Sequence, residues 1–172
     1  VFGITPKTFV NTELIYSNEI GADVAEMGFN LMLTEGAKHV LGWKSPNYLY
    51  ANSINPKLRL LLRNYKLSDA LSLNFVNNSL TTESFVDKLN ECNEEVVNIF
   101  TNYETFGENY DASTGIMDFM KYLPDAILNN SDFEYAKPIE MLDKLQTMSI
   151  FDAPIPLSSM GEERDLSLWM GN

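Results

Sequence analysis

The chain has 172 residues, of which 45% are apolar and 12% aromatic, so it is long and apolar enough for one domain with a hydrophobic core. Its 24 acidic and 12 basic residues leave a net charge of −12. A surface this acidic repels phosphate backbones and anionic lipid headgroups, so neither nucleic acid nor a membrane is expected as a partner. A neutral ligand such as a sugar is compatible with the charge, and the single cysteine, Cys92, excludes an internal disulfide.

Five short apolar runs predict β-strands, and each run closes on a polar or charged residue or directly before one. In chain order they cover residues 8–12, 31–34, 57–63, 96–101 and 133–136, and the last is the weakest. Helices are predicted between them over 17–28, from Ser68, over 82–89, over 114–123 and from Pro138 to about residue 145. Strands that alternate with helices indicate βαβ units and a parallel sheet, so the predicted fold class is α/β.

Five such units are too few for a closed eight-stranded barrel. Either the sheet is open, or further strands precede Val1. A first residue that is not methionine, shortly before a predicted strand, favours the second interpretation. We therefore expect the chain to be the interior of a longer polypeptide.

Two polar motifs follow the first and fourth predicted strands, where parallel α/β proteins keep their chemistry. Residues 5–16 read TPKTFVNTELIY, and residues 102–108 read NYETFGE. The first motif resembles the third conserved region of the α-amylases of glycoside hydrolase family 57, and the second resembles their fourth region. Further similar stretches are residues 33–37, 41–48, 67–69 and 163–172. The resemblance is collinear over nearly the whole chain.

This resemblance implies part of a (β/α)7 TIM-like barrel with parallel strands, followed by a C-terminal helical segment. Residues 1–150 would be the C-terminal strands and helices of the barrel, and residues 151–172 the start of an extension packed on it. It also implies cleavage or transfer of α-glucan chains with retention of configuration. The nucleophile of the third region corresponds to Glu13. The aspartate that opens the fourth region, the acid/base, corresponds to Asn102, and the family's first two regions are absent from this chain.

Asn102 decides how much activity is expected. A retaining glycosidase needs two carboxyl groups about 5 Å apart, one as nucleophile and one as proton donor. An amide has no proton to give near neutral pH, and general acid–base help is worth about 10²–10⁴-fold. Rescue by Glu104, two residues on, is disfavoured because acid catalysis requires hydrogen-bond reach. We expect an impaired glycoside hydrolase fragment, and the alternative is a catalytically inactive α-glucan-binding or interaction module.

Several acidic residues have an ordinary structural interpretation beside the functional one. Glu13 resembles a first-turn acid at the positive end of a helix dipole. Glu35 ends the second predicted strand, where it would orient Glu13, bind a sugar hydroxyl or cap a helix. Asp69 follows Ser68 and is interpreted first as a capping residue. The resemblance places Glu35, Asp69 and Glu104 among the substrate-binding candidates.

An aromatic loop after the second predicted strand contains Trp43, Tyr48 and Tyr50. Such rings either stack on the C–H faces of glucose units or anchor the loop in the core, and the pattern alone does not separate these alternatives. The resemblance favours the sugar cleft for Trp43 and Asn47, and Tyr48 is included with them as a substrate-binding candidate.

No cofactor or metal is expected. His39 is the only histidine, and no second His or Cys lies at ligand spacing. The expected partner is an α-glucan such as starch, glycogen or a maltooligosaccharide. No apolar stretch reaches the roughly 18 residues of a membrane span, and no signal peptide is visible, so a cytoplasmic location is expected.

Overall fold

The computed structural model describes residues 3–170, and the chain divides into two compact units. The first comprises Val1–Arg63, Glu94–Asn98 and Ala136–Asn172, and the second comprises Asn64–Asn93 and Ile99–Tyr135. The boundary predicted between residues 150 and 151 stays a prediction.

The first unit is built on a five-stranded sheet. Its strands are β1 (Thr8–Val10), β2 (Leu31–Glu35), β3 (Leu49–Asn52), β4 (Arg59–Arg63) and β5 (Thr147–Phe151), in the spatial order β1-β2-β4-β3-β5. β1, β2 and β4 run parallel to one another. β3 runs antiparallel to β4 and parallel to β5. The fold is therefore mixed α/β with a mainly parallel sheet, and the prediction of parallel strands throughout is wrong at the β3–β4 pair.

Three of the five predicted strands are confirmed as β1, β2 and β4, and two are wrong. The run over 96–101 forms only an isolated parallel bridge, between Arg63 and Asn98. Elsewhere in this run the polar groups bond to separate partners; for example, the Val96 N–H donates to the Asn47 carbonyl. The run over 133–136 is mostly exposed, so it has no apolar face to bury in a sheet.

The two strands missing from the prediction depend on distant partners. β3 follows the aromatic loop and pairs with β4 in a hairpin whose connection is fixed by Asn52. The Asn52 side-chain oxygen accepts the backbone N–H groups of Ile54 and Asn55. β5 pairs along β3, almost a hundred residues away in sequence, and most of its residues are exposed. β3 has only four residues, and the alternation of polar and apolar residues over 147–150 in β5 is too short to predict a strand by itself.

Both faces of the sheet are buried, as in α/β folds. Alternate residues of β4 enter different clusters: Leu60 and Leu62 pack with Tyr50 and Phe151 on one side, while Leu61 lies in a second cluster. The helices of this unit are α1 (Asn18–Glu26), α2 (Lys38–Leu41), α6 (Met141–Lys144) and α7 (Ser167–Met170). Ser17 caps α1 by accepting the Ile20 N–H, as predicted.

The second unit contains helices α3 (Tyr65–Ser72), α4 (Thr82–Asn90) and α5 (Ile116–Asn130). α3 begins after Asn64, whose side chain accepts the Leu67 N–H, so the helix start predicted at Ser68 is wrong. Phe119 of α5 packs edge-to-face on Phe75 and Phe85 and forms the centre of this unit's core. Within residues 3–170, no helix is long and apolar enough to cross a membrane.

Candidate active site

The carboxyl ends of β1, β2 and β4 lie at one edge of the sheet, because these strands run in the same direction. β1 leads through Asn11 to Glu13, β2 ends on Glu35, and β4 ends on Arg63. Glu35 and Arg63 are register partners on neighbouring strands. The first unit thus brings two of the predicted site residues, Glu13 and Glu35, to the same sheet edge.

Glu13 has a backbone conformation that is rare for a residue with a side chain. Its φ of 49° and ψ of 29° lie in the left-handed region, and Leu14 follows with a φ of 52°. The left-handed conformation costs about 1–2 kcal/mol for such residues. Four non-glycine residues within 3–170 have positive φ, and two of them are this adjacent pair. Strain of this kind is concentrated at functional sites. The turn over Thr12–Leu14, called here the Glu13 turn, is therefore a candidate functional site on structural grounds.

Two side chains hold this turn, one directly after β1 and one in β2. The Asn11 amide oxygen accepts the N–H that follows it, and its amide nitrogen donates to the Ile15 carbonyl at 3.1 Å. Thr34 is fully buried in β2, and its hydroxyl donates to the Leu14 carbonyl at 3.2 Å. These contacts fix both ends of the turn. A strained backbone conformation persists only when surrounding contacts hold it in this way.

Two serines near the end of the chain hold Glu13 from the other side. The backbone N–H of Ser159 donates to the Glu13 carbonyl at 2.8 Å, and the Ser158 hydroxyl lies 3.3 Å from the same oxygen. The Ser159 hydroxyl lies 3.0 Å from that carbonyl and 3.1 Å from Oε2 of the Glu13 carboxylate. The half-buried Glu13 side chain thus has a hydrogen-bond donor directed at its carboxylate.

Glu35 is fully buried, with none of its side chain exposed. Arg63 Nη1 donates to Glu35 Oε2 at 2.9 Å, and the Gly36 N–H donates to Oε1 at 2.8 Å. Arg164 Nη1 lies 4.0 Å from Oε2. Burial raises the pKa of the Glu35 carboxyl, and the two guanidinium groups act in the opposite direction. A Cβ on Gly36 would clash with the Arg63 carbonyl, so this close packing requires glycine.

Two acids that were interpreted as helix caps do not cap a helix. Glu35 lies before α2, whose N-terminal flanking residue is Ala37 and which has no side-chain cap. Asp69 lies inside α3, which is capped by Asn64. The substrate-binding roles of Glu35 and Asp69 stay predictions. The Glu35 carboxylate is fully buried and accepts hydrogen bonds from Arg63 and the Gly36 N–H.

The aromatic side chains of this loop lie partly on the surface and partly in the core. Trp43 is 92% exposed, whereas Tyr50 lies in β3 inside the core. Burial raises the pKa of Tyr50 to about 12, so the core interpretation holds for this ring. Tyr48 is half-buried against the same cluster. Asn47 is buried, and its Nδ2 donates to Glu94 at 3.1 Å.

Asn102 and Glu104 lie in the second unit, in a turn rather than in a strand. Asn102 is exposed and directly precedes a 3-10 turn over Tyr103–Thr105 that contains Glu104, which is also exposed. The motif after the run over 96–101 therefore begins with a 3-10 turn. The proximity of Asn102 and Glu104 to Glu13 stays a prediction, as do their roles.

Four residues of this edge were absent from the sequence-based candidates: Arg63, Thr34, Ser158 and Ser159. The Leu-rich run that ends on Arg63 carried a weak signal, since a charge that closes a buried strand needs a partner. Nothing local connects the two serines to Glu13, because they lie 145 and 146 positions further along the chain.

His39 lies in α2 and is exposed. Within the part of the chain that the structure describes, no group of three His, Cys, Asp or Glu side chains is placed to hold a metal ion. The prediction that the site requires no metal stays a prediction.

Comparison with known proteins gives matches that agree with one another. The family model described as "Glycosyl hydrolase family 57" matches residues 1–154. A protein of Methanocaldococcus jannaschii named "Putative alpha-amylase" is 38% identical over 179 residues, covering 100% of this chain and 38% of the relative. The crystal structure of 4-alpha-glucanotransferase from Thermococcus litoralis has a TM-score of 0.63 at 18% identity, covering 91% of this chain and 25% of that one. The chain thus spans well under half the length of either protein.

Proposed function

The chain belongs to glycoside hydrolase family 57 and is α-amylase-like, and from this premise we propose that it acts on α-glucans through a retaining site with Glu13 as nucleophile. Starch, glycogen and maltooligosaccharides are the substrates inferred. The observation that carries the proposal is the Glu13 turn. It holds a carboxylate just beyond a parallel strand, in a strained backbone conformation, with Ser159 as hydrogen-bond donor.

We propose that the mainly parallel sheet is part of a (β/α)7 barrel, with residues 151–172 as the start of an extension packed on it. Support comes from the TM-score of 0.63 to a glucanotransferase structure and from the burial of both sheet faces.

Asn102 is proposed to occupy the acid/base position, which leaves the chain impaired. In the first step, an oxygen of Glu13 would form a bond to the anomeric carbon while the glycosidic C–O bond breaks. The leaving oxygen of a starch chain then needs a proton, and an amide cannot supply it. A good leaving group needs no such proton and departs with the bonding electron pair. Water then releases the sugar from Glu13 and passes its proton to the solvent, a step that is also slowed because an amide cannot act as the base.

Two substrates measured on two forms of the chain test this proposal. The unchanged chain is expected to release the phenol from an aryl α-glucoside with an activated leaving group and to cleave starch only weakly. Asn102→Asp is expected to raise starch cleavage by about 10² or more, the usual value of a general acid. Glu13→Gln is the matched control and should abolish both activities.

A second candidate function is a catalytically inactive α-glucan-binding module, and the amide at position 102 favours it, since it retains hydrogen bonding without acid chemistry. Trp43, with its exposed ring, is the proposed stacking surface in either case. The further substrate-binding residues proposed are Glu35, Asn47, Tyr48, Asp69 and Glu104. If both forms leave both substrates uncleaved while the chain binds maltooligosaccharide in calorimetry, the binding module replaces the enzyme. Absence of binding as well would contradict both.

A further inference from the structure

We propose that Ser159 is a positioning residue for the Glu13 carboxylate, and that Arg164 and the buried Glu35 set its place. The inference rests on the proposed function, because it assigns Ser159 a task in the reaction proposed for Glu13. It also makes a statement about hydrogen bonding that is tested without any substrate.

The Ser159 hydroxyl has one proton and two acceptors within reach. They are the carbonyl oxygen of Glu13 at 3.0 Å and its carboxylate Oε2 at 3.1 Å. The carbonyl already accepts from the Ser159 N–H at 2.8 Å and lies 3.3 Å from the Ser158 hydroxyl, and two donors match its two lone pairs. The Ser159 hydroxyl is therefore expected to donate its proton to the carboxylate, because a charged acceptor makes the hydrogen bond stronger.

The segment over 157–165, called here the Ser159 loop, is fixed beside the Glu13 turn by backbone pairing. Leu157 and Tyr16 exchange two hydrogen bonds, of 2.8 and 3.0 Å. Within the loop, the Ser158 N–H donates to the Arg164 carbonyl at 3.1 Å. The loop is thus closed on itself and joined to the chain three residues beyond Glu13.

Arg164 connects this loop to the buried ion pair. Its Nη1 donates to the Ser159 carbonyl and lies 4.0 Å from Glu35 Oε2. Arg164 itself has a φ of 57°, so the loop accepts backbone strain to place this side chain. Glu35 is in turn fixed by Arg63, which is only 5% exposed. A continuous series of contacts therefore runs from a rigid buried pair, through Arg164 and Ser159, to the carboxylate of Glu13.

This geometry separates positioning from simple stabilisation, because neighbouring serines contact different atoms of Glu13. Ser158 contacts only the backbone carbonyl of Glu13, whereas Ser159 also reaches the carboxylate. Ser158→Ala is therefore the matched control: it should weaken the turn without changing the surroundings of the charge. Ser159→Thr keeps the hydroxyl and should restore what Ser159→Ala loses.

The experiment measures aryl α-glucoside cleavage by the full chain and its three variants. Ser159→Ala is expected to lower kcat about 10-fold or more, as for a lost hydrogen bond to a charged group, with little change in KM. Ser158→Ala should lower kcat much less, and Ser159→Thr should recover most of the rate.

A substrate-free measurement separates failure of this inference from failure of the proposed function. In chains labelled with 13C at glutamate carboxyl carbons, Ser159→Ala should shift the Glu13 resonance and Ser158→Ala should not. If the unchanged chain is inactive but this shift appears, the proposed function fails and the contact stands. If Ser159→Ala leaves the Glu13 resonance unchanged, the inference is wrong, whatever the unchanged chain catalyses.

Discussion

The two glutamates at the edge of the sheet differ in nearly every physical respect. Glu13 is half-buried on a strained left-handed turn, and its carboxylate has a serine hydroxyl as donor. Glu35 is fully buried in regular strand β2, with Arg63 and the Gly36 N–H as partners. The backbone of Glu35 is relaxed and its charge is paired with Arg63, whereas the backbone of Glu13 is strained and its carboxylate is only half-buried. The same type of side chain thus stabilises the sheet edge at one position and, we propose, carries out chemistry at the other.

Removing the carboxylate of Glu35 should have the largest effect on stability. Glu35→Ala leaves the 5%-exposed Arg63 without its carboxylate, and breaking a buried ion pair from one side costs about 3–5 kcal/mol. Urea unfolding measures this loss. Replacing Glu35 and Arg63 together by methionine is the control and should recover most of the stability, because the buried Arg63 charge is removed with its partner and Arg164, at 13% exposure, still reaches solvent. A loss below about 1 kcal/mol in the single variant would mean that the pair does not hold this edge together.

Glycine and alanine should rank in opposite order at the two positions. At Glu13, glycine relieves the left-handed strain, so Glu13→Gly should be more stable than Glu13→Ala by about 1 kcal/mol. At Glu35, in a strand, Glu35→Gly should be less stable than Glu35→Ala by about 0.5–1 kcal/mol, because glycine loses more conformational entropy. Thermal unfolding of the four variants measures both differences. The same order at both positions would refute the claim that only Glu13 is strained.

How well each feature is predicted from sequence depends on how far apart the interacting residues lie along the chain. β2 and β4 are continuous apolar runs, and Ser17 caps α1 through a residue three positions away, so these features are visible locally. β5 depends on pairing with β3, and its own residues are mostly exposed. For the same reason, no local pattern connects Ser159 with Glu13.

The local motif around Glu13 predicts a role for this residue but not its backbone geometry. By resemblance the motif indicates a glycosidase nucleophile, whereas the pattern alone favours an ordinary helix-start acid. The positive φ of Glu13 and Leu14 depends on Thr34 and the Ser159 loop, which lie elsewhere in the chain. Strain of this kind is set by tertiary contacts and leaves no sequence signature when the residues are not glycine.

Alkali should destabilise the folded chain through two buried tyrosines, Tyr16 and Tyr50. We expect this effect to be smaller than those of the substitutions at Glu35 and Glu13. Burial raises the pKa of Tyr16, and that of Tyr50 to about 12. Unfolded tyrosine titrates near pH 10, roughly, so the folded chain holds these protons more tightly. Their contribution is complete below about pH 10 and is lost as pH rises from there through the folded values.

Tyr16→Phe should therefore make the free energy of unfolding fall less steeply with rising pH above about 10. Tyr103→Phe, at a position that is 90% exposed, is the matched control and should leave the slope unchanged. Denaturant titrations at a series of alkaline pH values measure the slope. An equal slope in Tyr16→Phe and the unchanged chain would show that burial does not raise the pKa of the Tyr16 hydroxyl.

The most direct test of the central claim is to identify the residue that bonds covalently to sugar. The chain is incubated with 5-fluoro-α-glucosyl fluoride, which forms a long-lived glycosyl ester with a retaining nucleophile without needing a proton donor. Peptide mapping by mass spectrometry then locates the label. We expect one sugar per chain on Glu13, none in Glu13→Gln, and none on Glu35. A label on Glu35 or Glu104, or an unlabelled chain that still cleaves the aryl α-glucoside, would contradict it.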